Sequence, residues 1–331
     1  MRTGDAVSRV VIVMRTYERP VLLARALASV ASQTHRDRHL VIVNNGGDPA
    51  VVERVVGASG LAGSGGSHET IHLEVRTGME AASNRALASA TGDFFAVHDD
   101  DDVWHPEFLA VTTARLAAEP GAAAVVTGLT KVIETMKGDK VWPVREEPFW
   151  LNEGRLTFRG MIGANTFPPV AALFRSSLLA TVGMFDESLP VLGDWEFNMR
   201  AVRAGRFVYE PRVLARYHVR TPDSDRTAAN SIVDGESLHR STKLLLQDRW
   251  LTETVDGVNK GLLSLQAQAA GDAEEALRHG GPRVADTDID AVASRVVSIV
   301  ATRRLHRRLW RGVRRPAHGL RAVRRMITGR G

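Results

Sequence analysis

Phe94-Phe95-Ala96-Val97-His98-Asp99-Asp100-Asp101-Asp102-Val103-Trp104-His105-Pro106 is the stretch on which the reading of this chain turns. A short apolar run of the kind that fills a buried parallel strand ends in four consecutive aspartates, and Pro106 opens a helical segment. Like charges packed this closely repel one another, so the bland explanation is a solvated acidic loop. Their place at the end of an apolar strand argues instead for a cation among the carboxylates. Two or three carboxylate oxygens suit Mg²⁺ or Mn²⁺, which keep their remaining positions for water and phosphate oxygens. A D-x-D-x-D-G calcium loop is absent, as are a Walker lysine loop and a G-x-G-x-x-G turn. The pattern reads as a divalent-metal site for a diphosphate.

Working outward, Val10 to Met14 and Leu40 to Val43 are further short β-branched runs, and Ile71 to Val75 reads as another strand. Between them Val21 to Gln33 has helical apolar spacing behind Pro20, and Pro49 to Val56 is a second helix candidate. Gly57 to Gly66 reads as a flexible loop, and Ala81 to Ala90 as the helix before Phe94. Strands alternating with helices in this way predict an α/β fold, a Rossmann-like, mainly parallel sheet with helices on both faces. Ligands collect at the carboxyl ends of such strands, where Arg15-Thr16-Tyr17 and the aspartates fall. Beyond Pro106 the pattern predicts a helix over 107–118, a strand over 123–127 and a less regular stretch to about 166. A strand over 170–175, helices over 177–182 and 195–203, and mixed strand and loop over 207–219 follow. After about residue 225 the pattern is helical throughout, apart from an acidic connection over 271–290.

The 331 residues are 44% hydrophobic and 24% charged, and the formal net charge is +5. Eleven arginines and no acidic residue lie between Arg303 and Gly331, which leaves residues 1–302 with a net charge of −6. The body is therefore acidic and only the tail is basic. With no cysteine, a disulfide framework, a thiolate zinc site and a cysteine nucleophile are all excluded. No apolar run approaches the roughly 20 residues that span a bilayer, and Met1 to Val10 contains no signal-peptide core. The expected location is cytoplasmic. Leu305, Leu309, Trp310 and Val313 among the arginines make the tail a basic amphipathic segment. It is expected at the inner face of the membrane, drawn to anionic lipid, with a solvated helix packed on the body as the alternative. A nucleic-acid tail is disfavoured, because no interleaved aromatic platform accompanies it.

These residues resemble family 2 glycosyltransferases of the GT-A fold. Val11 to Pro20 with Ala28-Ser29-Val30-Ala31-Ser32-Gln33-Thr34 is similar to the family's opening strand, T-Y-N-R-P-like turn and helix ending S-x-x-x-Q-T. Gly78 to Ala90 carries Asn84 where the family has an Asn, and Asp99 to Pro106 matches its D-x-D-D-x-x-x-P. Val182-Gly183-Met184-Phe185-Asp186-Glu187 resembles V-G-x-F-D-E, and Gly193 to Arg200 resembles E-D-x-x-L-x-x-R. Residues 8 to 220 are covered by these ordered motifs.

The resemblance implies a metal-dependent transfer of sugar from a nucleotide-sugar donor to an acceptor hydroxyl, with inversion and an Asp general base. Asp99 is implied on the ribose side of the donor and Asp101 on a Mn²⁺ or Mg²⁺ ion, with Asp102 assisting and His218 as a third kind of ligand. Asp99 is also a candidate metal ligand and Asp100 a donor contact. His98 and His105 are weaker metal candidates. Asp194 aligns with the catalytic base, Glu196 is a second candidate, and Asp194 also reads as a helix cap. Arg15, Thr16, Tyr17, Asn45 and Asn84 complete the expected donor site, with Tyr17 stacked on the base. Asn44-Asn45 stands where the family usually has two aspartates, so UDP is favoured with GDP and dTDP open. Asn165, Pro168-Pro169 and Trp195 are expected to shape the pocket for a glycan, lipid-linked sugar or small-molecule acceptor. The expected division is a catalytic domain over 1–222 and a helical C-terminal region over 223–331, with its basic tail at 303–331. The alternatives are a sugar-phosphate nucleotidyltransferase and a non-catalytic nucleotide-sugar or membrane-binding module.

Overall fold

The apolar runs of the N-terminal half are the central strands of one large sheet in the computed structural model, which describes residues 8–225, 236–251, 253–255, 258–259 and 266. Strands β1 (Val10–Thr16), β2 (Arg38–Asn45) and β3 (Ser67–Leu73) are linked by helices α1 (Pro20–Ala31) and α2 (Pro49–Ala58). Helix α3 (Met79–Ser89) then leads to β4 (Phe94–Val97). Pro20 and Pro49 stand in first turns, where a missing N–H costs nothing, and the Asp48 carboxylate caps α2 by accepting the Ala50 amide at 2.9 Å. The four strands pair in parallel in the order β3-β2-β1-β4, with Thr16 beside Asn44 and Val13 beside Val97. β1, β2 and β4 are buried along almost their whole length, as strands covered on both faces must be.

The chain steps outward from β1 to β3 and then returns to the far side of β1. Right-handed crossovers therefore place α1 and α2 on one face and α3 on the other. The reversal opens a crevice at the carboxyl ends of β1 and β4, the position at which such sheets bind ligands.

The second half extends the same sheet with β5 (Val103–Trp104), α4 (Phe108–Ala118), β6 (Ala122–Lys137), β7 (Lys140–Pro148), the single turn α5 (Phe158–Met161), β8 (Ala172–Arg175), α6 (Ser177–Val182), α7 (Gly193–Ala204) and β9 (Arg206–Arg220). The order continues β4-β8-β6-β9-β5, with β7 antiparallel on β6. Phe95, Phe174 and Phe197 meet in its core, with ring centroids 5.1 to 6.1 Å apart. Fully burying each such side chain is worth about 1.5–3 kcal/mol.

Several elements differ from the sequence pattern. β6 does not stop at Thr127 but runs to Lys137, and the region expected to be irregular holds β7, joined to β6 by a two-residue turn with Gly138 at φ +56°. β3 begins at Ser67 and ends at Leu73, two residues before the expected end, because its pairing with β2 runs from His39 to Asn45. The 207–219 stretch is one strand, β9, with register shifts on both sides of Gly128, where Pro211 and Arg212 and then Leu214 are left unpaired with β6. After residue 225 the described chain is not wholly helical. Helix α8 (Glu236–Leu251) is followed by a hairpin of β10 (Thr254–Val255) and β11 (Val258–Asn259). Trp250 of α8 packs edge-on against Trp195 of α7 at 5.0 Å, and Arg249 pairs with Asp186 at 2.7 Å. The expected acidic connection at 271–290 and the tail at 303–331 lie outside the described residues.

Candidate active site

The carboxyl ends of β1 and β4 bring Arg15, Thr16 and Asp99 to Asp102 together at the crevice. Arg15 donates from Nε and NH2 to Asp99 Oδ1 at 3.1 and 2.8 Å, and from NH1 to Ser83 Oγ at 2.9 Å on α3. Asp99 is the one member of the run with appreciable exposure, at 24% of its side chain. The other three are buried. Asp100 takes the Thr16 hydroxyl and, through both oxygens, the Arg19 guanidinium. Burial nevertheless pushes its carboxyl up to about 6, against the pull of Arg19.

Asp101 moves the other way. Burial would raise it, but Arg220 and Arg19, both donating to Oδ2, outweigh burial and hold it well below the usual carboxylate range. Asp102 accepts the backbone N–H of His218 at 2.8 Å, and its second oxygen is buried with no hydrogen-bond partner. Burial, and then Asp101 and Asp99, raise it well above the ordinary value. Buried His218 and His98 are both lowered to about 4, chiefly by desolvation, so their rings are neutral at physiological pH.

The four residues expected to share a metal ion do not share a site. Among the described residues no group of three or more His, Asp or Glu is placed to hold one. Asp101 Oδ2 is occupied by two guanidinium groups, and Asp102 is turned to a backbone amide. His218 Nδ1 stands 3.2 Å from the Arg216 carbonyl oxygen and 3.9 Å from Asp102. His98 is spent between Ser29 Oγ and the Asp99 carbonyl oxygen, and His105 is a surface residue beside Glu107. A D-x-D pattern sets carboxylates two residues apart but does not determine which cation meets them.

Across the crevice, α7 begins at Gly193, so Asp194 lies in its first turn and is not the cap residue, which is Leu192 in a left-handed conformation (φ 64°). Asn165 donates to Asp194 Oδ2 at 2.6 Å. Burial raises the Asp194 carboxyl, while Asn165, the Trp195 amide and Arg15 pull it down. Glu196 is held elsewhere. Arg200 grips both its oxygens at 2.7 to 3.0 Å and reaches the Val182 and Met184 carbonyl oxygens as well.

A profile of Glycosyl transferase family 2 matches residues 11–183, more than half of the chain. The chain belongs to that family. This family 2 glycosyltransferase is 29% identical over 243 residues to the PGL/p-HBAD biosynthesis glycosyltransferase of Mycobacterium tuberculosis, covering 70% of this chain and 85% of that one. It is 30% identical over 205 residues to the galactofuranosyltransferase GlfT1 of M. tuberculosis, covering 58% and 64%. Among solved structures, the mannosyltransferase PcManGT of Pyrobaculum calidifontis, in complex with GDP-Man and Mn²⁺, superposes with a TM-score of 0.55 at 18% identity over 89% of this chain and 80% of that one. S. aureus TarS 1-349 in complex with UDP superposes at 0.54 and 19%, covering 81% and 72%; the chain spans 42% of the longer TarS structure. The expected GT-A fold is thus the fold observed.

Within the family 2 site, the other expected donor residues divide. Thr16 faces Asp100, and Tyr17 carries the Arg76 guanidinium 4.2 Å over its ring, so one face is covered. Asn45 ties the end of β2 to Thr77 through three hydrogen bonds of 2.7 to 3.0 Å. Asn84 brackets the Phe185–Glu187 turn with three bonds of 2.8 to 3.0 Å. Trp195 donates to the Met161 carbonyl oxygen at 2.7 Å and is buried, so it lines no open surface.

Sequence reading missed Glu80, a buried carboxylate of α3 that accepts the Gly193 amide at the start of α7. A Cβ at Gly193 would fall 2.3 Å from Glu80, which is why glycine precedes Asp194. An acidic residue in the first turn of a helix at the ligand edge was the available signal. Arg19, Arg25, Glu134 and Arg220 were missed too; of these only Glu134, a lone carboxylate in the β-branched run Val132-Ile133-Glu134-Thr135, stood out locally.

Proposed function

We propose that this glycosyltransferase moves a sugar from a nucleotide-sugar donor to an acceptor hydroxyl, with Asp194 as general base and inversion at the anomeric carbon. The observation that carries the reading is the placement of Asp194. It sits half-buried in the first turn of α7, oriented by Asn165, and within electrostatic reach of the Arg15–Asp99 pair at the strand ends. Partial desolvation and a raised proton affinity are what a base needs in order to accept a hydroxyl proton as the new glycosidic bond forms. Glu196 is spent on Arg200 and takes no part in this proposal.

The donor diphosphate meets the partly exposed guanidiniums of Arg15 and Arg19, whose N–H groups suit phosphate oxygens as negative charge grows on the leaving group. A UDP-sugar is the favoured donor, supported by the TarS structures with UDP and UDP-GlcNAc; the GDP-Man complex of PcManGT keeps GDP-sugars in the test. The Mn²⁺ in that complex supports the expected divalent ion. At Asp101 the residues of this chain do not fit one, because Arg19 and Arg220 both donate to Oδ2, and no step is routed through it.

The catalytic domain is proposed to run to residue 222 with α8 docked upon it. No helix among the described residues is long and apolar enough to cross a membrane. The arginine-rich segment 303–331 is proposed to hold the enzyme at an anionic cytoplasmic membrane surface, so its deletion should abolish binding to anionic vesicles and leave donor hydrolysis intact. The central test is a panel of UDP-, GDP- and dTDP-sugars assayed for nucleoside diphosphate release, with the anomeric configuration of the product read by NMR. Release of pyrophosphate from sugar phosphate and nucleoside triphosphate would point to a nucleotidyltransferase instead. Nucleotide binding with no hydrolysis or transfer would point to a binding module.

A further inference from the structure

Asp101 is the residue at which a divalent ion was expected, and five charged side chains are arranged around that place. Arg220 and Arg19 both donate to Asp101 Oδ2. Arg220 also reaches Glu134 Oε1 at 3.5 Å. Arg25 grips Glu134 at 2.8 and 2.9 Å and donates to the Asp101 carbonyl oxygen at 2.6 Å. The result is an alternating run, Arg19–Asp101–Arg220–Glu134–Arg25, in which three cations meet two anions. The Arg220 side chain is wholly enclosed, and Glu134 is 3% exposed.

A divalent ion bound through Asp101 would have to stand about 2.1 Å from a carboxylate oxygen. There it would lie within a few ångströms of two guanidiniums, one of which has no route to solvent. Repulsion between a dication and an enclosed guanidinium is strong in this surrounding, and displacing the arginine from Asp101 would break a buried ion pair. Arginine does not lose its proton to relieve the conflict. Arg19 extends the same cationic run to the crevice, where 22% of its side chain is exposed and where Asp100 holds its other edge. A positive group is thus already fixed on Asp101 and reaches the surface that a diphosphate would approach.

We propose that Arg220 and Arg19 supply at Asp101 the positive charge expected of a divalent cation, so that this chain binds the nucleoside diphosphate part of its donor without metal. The inference rests on the nucleotide-sugar reading above.

Titration calorimetry of the full chain with UDP and with GDP, in EDTA and in MnCl₂, tests it, together with the electron paramagnetic resonance signal of Mn²⁺ added to the nucleotide-free protein. The expected result is a Kd that agrees within about threefold between the two buffers, with no Mn²⁺ bound by the nucleotide-free chain. A gain of about tenfold or more on adding Mn²⁺, or stoichiometric binding of Mn²⁺ alone, overturns the proposal. Arg220→Met should weaken binding in EDTA by about tenfold, with partial recovery in Arg220→Lys. If Arg220→Met does not fold by circular dichroism, Arg19→Met carries the same expectation, and wild-type affinity in the folded variant overturns it. Should neither nucleotide bind in either buffer, the donor reading falls, and the Mn²⁺ signal decides the metal question by itself.

Discussion

Asn165 donates from Nδ2 to Asp194 Oδ2 at 2.6 Å, joining a loop before β8 to the first turn of α7. The bond does two things at once. It fixes the direction of the carboxylate, and by favouring the ionised form it opposes the upward push of burial.

Asp194→Asn should therefore lower kcat by about 10²–10⁴-fold while nucleotide affinity and thermal midpoint stay near wild type. Asn165→Ala should lower kcat less, by about tenfold, and displace the acidic limb of the kcat–pH profile. The base works when ionised, so the rate rises with pH through its raised pKa. Removing the Asn165 bond raises that pKa further, and the limb should move to higher pH. A limb that moves to lower pH in Asn165→Ala would contradict the assignment.

Glu196 is a different case from its near neighbour. Its carboxylate pairs with Arg200 one helical turn away, in a partly buried geometry that also fastens the Val182 and Met184 carbonyl oxygens. Glu196→Gln should cost about 0.5–1 kcal/mol in urea unfolding and leave kcat within about twofold. A loss of turnover comparable to that of Asp194→Asn would move the general base to Glu196.

Asn84 makes all three of its bonds to the turn at 185–187. Asn84→Ala leaves the Phe185 amide and carbonyl without those partners and should cost about 2–3 kcal/mol of stability. At a temperature where the variant is folded, its Kd for UDP should match the wild type. A selective loss of nucleotide affinity at unchanged stability would return Asn84 to the donor site.

His98 is buried between Ser29, the Asp99 carbonyl and the Trp104 ring, and desolvation holds its pKa down to about 4. A depressed folded pKa means the unfolded chain binds the extra proton. The stability tied to neutral His98 is complete above the unfolded value near 6.5 and is lost as pH falls toward 4. Asp100 and Asp102, raised by burial, act in the opposite direction, so the His98 contribution is read as a difference. The stability advantage of wild type over His98→Gln should shrink by about 1–2 kcal/mol between pH 7 and pH 5 in denaturant titrations. An advantage independent of pH would show that His98 is not held neutral by burial.

The linear chain determined the parallel half of the sheet and the positions of Asp99, Asp101 and Asp194. Those features are local: an apolar strand, the turn that ends it and the helix that follows are contiguous, so hydrophobic period and turn chemistry make them legible. The long hairpin of β6 and β7 was less legible, because β7 is largely exposed and its polar residues carry no core alternation. Tertiary structure alone decided which cation meets each carboxylate. Arg220 lies 119 residues from Asp101, and Arg25 lies 109 from Glu134. An ion pair across such a distance leaves no periodic trace, since the arginine partner alone reads as an ordinary surface charge. The sheet brings β1, β4, β6 and β9 to one edge, and burial there makes each charge seek an opposite one. Four aspartates that read as a metal site are, in the folded chain, largely occupied by arginines from distant segments.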